Sequence, residues 1–203
     1  MKAIFDLDGT LIDSLEIWDR VEVEWARKRK LPEWKEMQAV LSTHGFIKCA
    51  NLCIDHFGLD RTTETPESVS REWSEIAKGA YSEQSQIPLR QGTVKFFEKL
   101  KASGSKMGIA TSNWRELAEI ALKTHDLEKY IDGVIVTSDE VEHGKPAPDV
   151  FIAVAKKLGS SREDFSDCVV FEDSMNPALA AKSVGMHIVA TFDPHRSGLE
   201  NWP

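Results

Sequence analysis

Five short apolar runs are spread along the chain, and each predicts a strand of one sheet. The runs are hydrophobic at nearly every position rather than at alternate positions, which is typical of parallel strands covered on both faces. Helical periodicity fills the stretches between the last four runs. This alternation predicts an α/β fold with a doubly wound, Rossmann-like parallel sheet. The predicted strands cover residues 3–5, 107–110, 134–136, 169–171 and 188–190.

The helices predicted beside these strands have apolar residues three and four positions apart. One precedes the second strand at residues 96–100, and one follows that strand at residues 117–124. A third covers residues 150–158 and is closed by Gly159, since glycine tolerates the left-handed conformation of a helix C-terminus. These helices are expected to cover the sheet.

The stretch between the first and second strands is long, and its periodicity is helical throughout. We therefore expect a small all-helical cap domain at residues 14–87, inserted after the first strand of a Rossmann-like core formed by residues 1–13 and 88–203. The apolar faces of its three helices lie at residues 18–25, 47–54 and 69–77.

Composition narrows the class of protein. Hydrophobic residues make up 41% and charged residues 29%, the balance of an ordinary globular protein. The net charge of −8 argues against a nucleic-acid or membrane partner. No apolar run is long enough for a transmembrane helix, and no signal peptide is indicated. Cys49 and Cys53 are expected to be buried and free at helical spacing, and a reducing cytoplasm is the expected location.

Two pairs of carboxylates stand directly after predicted strands. Asp6 and Asp8 follow the first strand, and Glu172 and Asp173 follow the fourth. Like charges this close repel each other unless a cation lies between them. Each pair alone also has a simpler interpretation, a solvent-facing turn for the first and acids in the first turn of a helix for the second.

The second and third strands are followed by groups that suit a phosphate. Thr111, Ser112 and Asn113 ("TSN") stand where a helix begins, and free N–H groups at that position bind anions. The same residue types are also the usual N-caps of helices. The loop "HGKPAPD" at residues 143–149 carries Lys145, which alone would be interpreted as a solvated lysine.

All of these groups are expected to meet at one edge of the sheet, because ligands of open α/β sheets bind outside the carboxyl ends of the strands. Four carboxylates in one cleft need a divalent cation and a cationic side chain. Hard oxygen ligands favour Mg²⁺. Lys145 and the donors at residues 111–113 supply what a phosphoryl group needs. The sequence therefore predicts a Mg²⁺ site beside a phosphate site.

Taken together, the motifs resemble those of the haloacid dehalogenase superfamily, whose members are mostly Mg²⁺-dependent phosphohydrolases. "DLDGT", "TSN", "GKPAPD" and "FEDS" occur in family order across nearly the whole chain. The helical stretch between the first two motifs is similar to the cap of one branch of that superfamily. This branch includes β-phosphoglucomutase-like and phosphoglycolate phosphatase-like enzymes.

The resemblance implies a role for each matching residue. Asp6 would be the nucleophile that forms an aspartyl-phosphate, and Asp8 would protonate the leaving alcohol and then activate water. Lys145 would orient Asp6 and neutralise its charge. Mg²⁺ would be held by Asp6, Glu172 and Asp173 together with the backbone carbonyl of Asp8. The phosphoryl group would be held by Thr111, Ser112 and Asn113.

The implied activity is hydrolysis of a small phosphorylated metabolite such as a sugar phosphate. Dehalogenases of the superfamily lack the second aspartate, so the presence of Asp8 favours phosphoryl transfer. Mutases of the β-phosphoglucomutase type have a histidine five residues after the position of Asp13, where this chain has Trp18. A sugar-phosphate mutase and a catalytically silent binding protein are therefore the alternatives. Pro177 replaces a family glycine, a change that the first turn of a helix tolerates.

Selectivity is expected to come from the cap, which would close over the leaving group. His44 and Lys48 are candidate substrate contacts, and surface exposure explains both equally well. Trp18 is a third candidate, for which packing inside the cap is the favoured interpretation. The sequence indicates no oligomeric state.

Overall fold

The fold is built on a five-stranded parallel sheet in a computed structural model, which describes residues 1–37, 45–161 and 165–191. The strand order is β3-β2-β1-β4-β5. Each predicted strand lies within an observed one, so the predicted parallel α/β sheet is confirmed. The strands are β1 (Lys2–Phe5), β2 (Lys106–Thr111), β3 (Val134–Thr137), β4 (Cys168–Glu172) and β5 (His187–Ala190).

Seven α-helices occur in the described residues. Three of them lie between β1 and β2 and precede a fourth that leads into β2, while the other three alternate with the remaining strands. The helices are α1 (Leu15–Lys28), α2 (Phe46–Phe57), α3 (Pro66–Tyr81), α4 (Thr93–Ala102), α5 (Arg115–Thr124), α6 (Asp149–Lys157) and α7 (Met175–Ser183).

Strand β1 is the centre of the sheet, and its position places the first motif between two others. Phe5, its last residue, is opposite Ile109 of β2 and Phe171 of β4. The residues that follow these three strands therefore emerge side by side at the carboxyl edge. This is the arrangement that the sequence predicts for the carboxylates and their neighbours.

The sheet is covered by apolar residues on both faces. Phe5 of β1 belongs to a buried cluster with Phe97 of α4 and Leu117 of α5. Ile4, the preceding residue, belongs to a second cluster with Val154 of α6. Because neighbouring side chains of a strand point to opposite faces, the two clusters confirm the doubly wound arrangement.

Strand β5 differs from the prediction of a strand buried on both faces. Val189 is 41% exposed, and Ile188 is only partly buried against the cluster around α6 and α7. The physical reason is position, because in the part of the chain that the structure describes β5 lies at the edge of the sheet and pairs with β4 alone. An apolar run alone does not distinguish an edge strand from a central one.

The helices between β1 and α4 bury most of the predicted apolar faces. Trp18 and Trp25 of α1 and Trp73 of α3 are buried as predicted. The predicted face of α2 is partly wrong, because Ile47 is 41% exposed. Three small residues together with Ile54 form the buried face, and the small residues allow α2 to pack closely along α3. The buried residues of α2 are Cys49, Ala50, Cys53 and Ile54, which confirms the expected burial of both cysteines.

Helix α3 connects the inserted helices to the carboxyl edge of the sheet. The guanidinium of Arg71 lies 4.3 Å from the ring centroid of Trp114, and Lys78 Nζ lies 2.9 Å from Glu116 Oε2. The backbone of Gly45, just before α2, also lies so close to the loop of Lys145 that a Cβ at Gly45 would be 3.4 Å from the Lys145 carbonyl oxygen. The inserted helices therefore lie next to the predicted site, while their status as a separate domain stays a prediction.

Candidate active site

The first motif forms a tight turn directly after β1. The Asp6 amide continues the sheet by donating to the Phe171 carbonyl at 3.0 Å, and the chain then reverses at Gly9, whose φ is +84°. A Cβ at Gly9 would lie 2.5 Å from Oδ2 of Asp173. Glycine is therefore required twice over, for its positive φ and for the close approach of a carboxylate.

Three buried acids meet at this edge of the sheet. Asp6, Glu172 and Asp173 are 6%, 2% and 8% exposed, and each offers a carboxylate oxygen within 4.8 Å of the others. Lys145 reaches the same cluster from the loop before α6. Its Nζ lies 2.5 Å from Asp6 Oδ1 and 2.7 Å from Glu172 Oε2, and its side chain is 5% exposed. The structure thus brings together four residues that sequence reasoning placed in one site.

The electrostatics of the cluster follow from its burial. Burial raises the pKa of Asp6 to about 6, with Lys145 opposing the shift and the charge of Asp173 adding to it. Burial also raises the pKa of Glu172 well above its usual value, and the charge of Asp6 adds to that shift. Burial alone would lower the pKa of Lys145, but Asp6 and Glu172 raise it. The lysine is therefore held as a cation between two acids.

The donor set of the cluster fits a hard divalent cation. Asp6, Glu172 and Asp173 offer only carboxylate oxygens, which are the ligands that Mg²⁺ prefers, and one oxygen from each lies within 4.8 Å of the others. The resemblance implies that Asp8 contributes its backbone carbonyl, and in the described part of the chain its carboxylate lies outside the cluster. The magnesium assignment stays a proposal, and these three acids are the residues that would hold the ion.

The loop after β2 is ordered by its own side chains. The backbone N–H of Asn113 donates to Thr111 Oγ1 at 3.0 Å, and the backbone N–H of Trp114 donates to Asn113 Oδ1 at 2.9 Å. Helix α5 begins only at Arg115, and Trp114 is its N-cap without a side-chain cap bond. Thr111 and Asn113 are buried and Ser112 is half-buried. Asn113 lies next to Asp8, to which its Nδ2 donates at 3.1 Å, while the binding of a phosphoryl group by the three residues stays a prediction.

Asp8 is held by four hydrogen-bond donors. Its Oδ1 accepts from Ser14 Oγ at 2.7 Å, from the Tyr81 hydroxyl and from Trp18 Nε1 at 3.4 Å. Its Oδ2 accepts from Asn113 Nδ2 at 3.1 Å. Two of the donors, Trp18 and Tyr81, come from the inserted helices, so these helices contact the predicted acid and base directly.

Tyr81 and Ser14 are contacts of Asp8 that sequence reasoning missed. Tyr81 is the more distant of the two along the chain. It lies at the end of the apolar face of α3, four positions after Ala77, and it is 1% exposed. The signal available in the sequence was a tyrosine at the end of a buried helical face, shortly before residue 88, where the core domain is predicted to resume. Trp18 packs its ring on Phe46 at 4.3 Å, as the favoured interpretation predicts, and its Nε1 lies 3.4 Å from Asp8 Oδ1, while its contact with a substrate stays a prediction.

Of the two substrate contacts predicted in the cap, His44 and Lys48, the structure describes only Lys48. Lys48 is exposed in the first turn of α2. His44 lies outside the described residues.

Pro177 lies in the first turn of α7, where its missing N–H removes no intrahelical bond. Within the described ranges, no helix has the length and apolar character to cross a membrane.

Comparison with known proteins defines the class of protein. Residues 3–185 match the family model described as "haloacid dehalogenase-like hydrolase", a match that covers most of the chain. The chain therefore belongs to the haloacid dehalogenase-like hydrolase family, which confirms the resemblance and the expectation of a hydrolase.

Individual relatives make the comparison more specific. The chain is 30% identical over 192 residues to hexitol phosphatase A of Escherichia coli strain K12, covering 94% of this chain and 82% of that protein. It is 28% identical over 195 residues to (DL)-glycerol-3-phosphatase 2 of Arabidopsis thaliana, covering 95% and 79%. A crystal structure of β-phosphoglucomutase from Clostridium difficile matches with a TM-score of 0.77, covering 95% of this chain and 84% of that one. At 17% identity, this last likeness shows a shared fold alone.

Proposed function

We propose that the protein is a Mg²⁺-dependent phosphatase that hydrolyses a small phosphorylated metabolite through an aspartyl-phosphate intermediate. The observation that carries the proposal is the buried cluster of Asp6, Glu172, Asp173 and Lys145 with Asp8 beside it. A carboxylate nucleophile next to a lysine and a cation site is suited to phosphoryl transfer, which depends mostly on positioning and charge neutralisation. A cytoplasmic location is part of the proposal.

The first step transfers the phosphoryl group to Asp6. An oxygen of the Asp6 carboxylate forms a bond to phosphorus, and the bond between phosphorus and the ester oxygen breaks. The leaving oxygen takes the proton of the Asp8 carboxyl group and departs as the alcohol. Asp8 ends the step as a carboxylate. Splitting the displacement into two steps lowers the barrier of each.

The second step regenerates the enzyme. The Asp8 carboxylate takes a proton from water, whose oxygen forms a bond to phosphorus while the bond between phosphorus and Asp6 breaks. Inorganic phosphate leaves, Asp6 is again a carboxylate, and Asp8 is again protonated. One group thus acts as acid and then as base at the same position.

Charge is balanced by residues around the nucleophile. Lys145 holds one oxygen of Asp6 and opposes the charge of the incoming phosphoryl group. Thr111, Ser112 and Asn113 provide hydroxyl and amide donors on the neighbouring strand end. Asp6, Glu172 and Asp173 would hold Mg²⁺, which would supply positive charge that favours the ionised form of Asp6 and offsets the charge of a phosphoryl group.

The relatives support a polyol or sugar phosphate as the substrate class. Hexitol phosphatase A and (DL)-glycerol-3-phosphatase 2 are named for phosphates of small polyhydroxy compounds. The mutase alternative is less well supported, because Trp18 stands at the position of the mutase histidine and directs an indole N–H, which only donates, toward Asp8. The silent alternative is disfavoured because the acids and Lys145 are all present and in contact.

The test is phosphate release from a panel of hexitol, sugar and glycerol phosphates, with Mg²⁺ and with a chelator. We expect Mg²⁺-dependent release that is abolished in Asp6→Asn, because a carboxamide cannot act as the nucleophile. Asp139→Asn, at an exposed aspartate after β3, is the matched control and should retain activity. Activity in Asp6→Asn would overturn the mechanism. Interconversion of sugar-phosphate isomers without net phosphate release would favour the mutase.

A further inference from the structure

Tyr81 occupies the junction of three parts of the chain. It is the last residue of α3, and its side chain is fully buried next to the carboxyl edge of the sheet. Its hydroxyl oxygen lies 3.0 Å from Trp18 Nε1 of α1 and 3.0 Å from Asn113 Nδ2 of the loop after β2. The same hydroxyl contacts Oδ1 of Asp8.

The directions of the hydrogen bonds of Tyr81 with Trp18, Asn113 and Asp8 follow from the chemistry of these neighbours. The Ser14 hydroxyl also lies beside that of Tyr81, and it donates to Asp8. An indole N–H only donates, so Tyr81 accepts from Trp18. Asn113 uses its Oδ1 to accept from the Trp114 amide, so its Nδ2 faces Tyr81 and donates. The hydroxyl proton of Tyr81 is then directed at Asp8. Burial and the charge of Asp8 raise the pKa of Tyr81 well above its usual value, so this proton stays on the phenol.

We propose that Tyr81 is a positioning residue that holds the Asp8 carboxyl group in the orientation needed for proton transfer to and from the substrate. The inference rests on the proposed phosphatase function and adds a residue to it. Without the hydroxyl, Asp8 keeps donors in Ser14, Trp18 and Asn113, so the fold survives while the orientation of the carboxyl group is less restricted.

Tyr81→Phe isolates this effect because it removes one hydroxyl group and keeps the ring. The matched control is Tyr130→Phe, at the only other tyrosine of the chain, a buried ring that packs on Phe97 away from Asp8. With sorbitol 6-phosphate, we expect kcat of Tyr81→Phe to fall about 10- to 100-fold, part of the usual contribution of acid–base catalysis, while KM changes less than about twofold. Tyr130→Phe should match the wild type.

A substrate with a better leaving group separates positioning from damage. 4-Nitrophenyl phosphate releases a stabilised anion that needs no proton, so the first step does not require Asp8. Rapid mixing of Tyr81→Phe with this compound should give a fast burst of about one nitrophenolate per enzyme, followed by slow turnover as water attack is impaired. A merely structural defect would slow the burst and the turnover together.

The outcomes are distinct. Absence of phosphate release by the wild-type protein would reject the proposed function itself. With an active wild type, kcat of Tyr81→Phe within about twofold of normal, or an equal loss in burst and turnover, would overturn the role of Tyr81.

In an Asp8→Asn background, adding Tyr81→Phe should change the residual burst by less than about twofold, because Tyr81 acts through Asp8. If Tyr81→Phe did not fold, Trp18→Phe, which removes a donor to the Tyr81 hydroxyl at 3.0 Å and a longer contact to Asp8 at 3.4 Å, should show a smaller turnover loss with the burst retained.

Discussion

Glu22 is a buried acid of helix α1 that the proposed mechanism does not use. Its side chain is 7% exposed, and burial raises its pKa from 4.5 to about 8, with a smaller contribution from the charge of Asp19. The carboxyl group is therefore protonated in the folded chain at neutral pH and ionised in the unfolded chain. This difference makes the stability of the protein depend on pH.

The sign and size of the effect follow from proton binding. Between pH 4.5 and 8 the folded state binds the Glu22 proton and the unfolded state does not, so the stability contributed by this group falls as pH rises. Each pH unit in that window costs about 1.4 kcal/mol. At pH 7 the cost is about 3 kcal/mol, a large fraction of the roughly 5–15 kcal/mol of a typical domain.

Glu22→Gln removes the titration and keeps the shape of the side chain. We expect the variant to match the wild type near pH 5 and to be more stable by about 3 kcal/mol at pH 7, measured as the free energy of unfolding in urea. Glu16→Gln, at an exposed acid of the same helix, is the control; it keeps Glu22, so its stability should follow that of the wild type from pH 5 to pH 8. A difference between Glu22→Gln and the wild type that stays constant from pH 5 to pH 8 would refute the reasoning.

Two further substitutions test the cluster at the carboxyl edge. Lys145→Met should lower kcat/KM by at least about 100-fold, because Asp6 and Glu172 lose their common cation; steady-state kinetics would check this, and near-normal kcat/KM would contradict it. Gly9→Ala should lower the free energy of unfolding in urea by more than about 1 kcal/mol, because φ at this position is +84°. The same variant should bind Mg²⁺ more weakly in calorimetry, because the added Cβ would displace Asp173. A stable variant with unchanged Mg²⁺ affinity would refute the second expectation.

That Asp6, Lys145 and Glu172 lie at one edge of the sheet could be predicted without knowing the order of the strands, because all strands of a parallel sheet end at the same edge. Their close approach also depends on that order, which places β1 beside β4. The tight turn after β1 then needed only a glycine, which the first motif supplies at Gly9. Local patterns were therefore sufficient to place these residues at the same edge.

The contacts of Asp8 could not be predicted in the same way. Tyr81 is 73 positions away along the chain, and it reaches Asp8 only because α3 packs against α1 and α5. That packing depends on the shapes of helix faces, which periodicity does not specify. The same limit explains α2, where Cys49 and Cys53 rather than Ile47 form the buried face. Exposure of β5 likewise depends on its place at the sheet edge.

The two halves of the site differ in how their charges are balanced. Fully ionised, the three acids of the cluster and Lys145 carry two net negative charges, which equals the charge that one divalent cation neutralises. Asp8, by contrast, is held by the neutral donors Ser14, Trp18, Tyr81 and Asn113. A fixed charge balance suits groups that must stay ionised around a phosphoryl group. Neutral donors suit a carboxyl group that must lose and regain a proton in each cycle, because no partner charge is left unpaired when it does so.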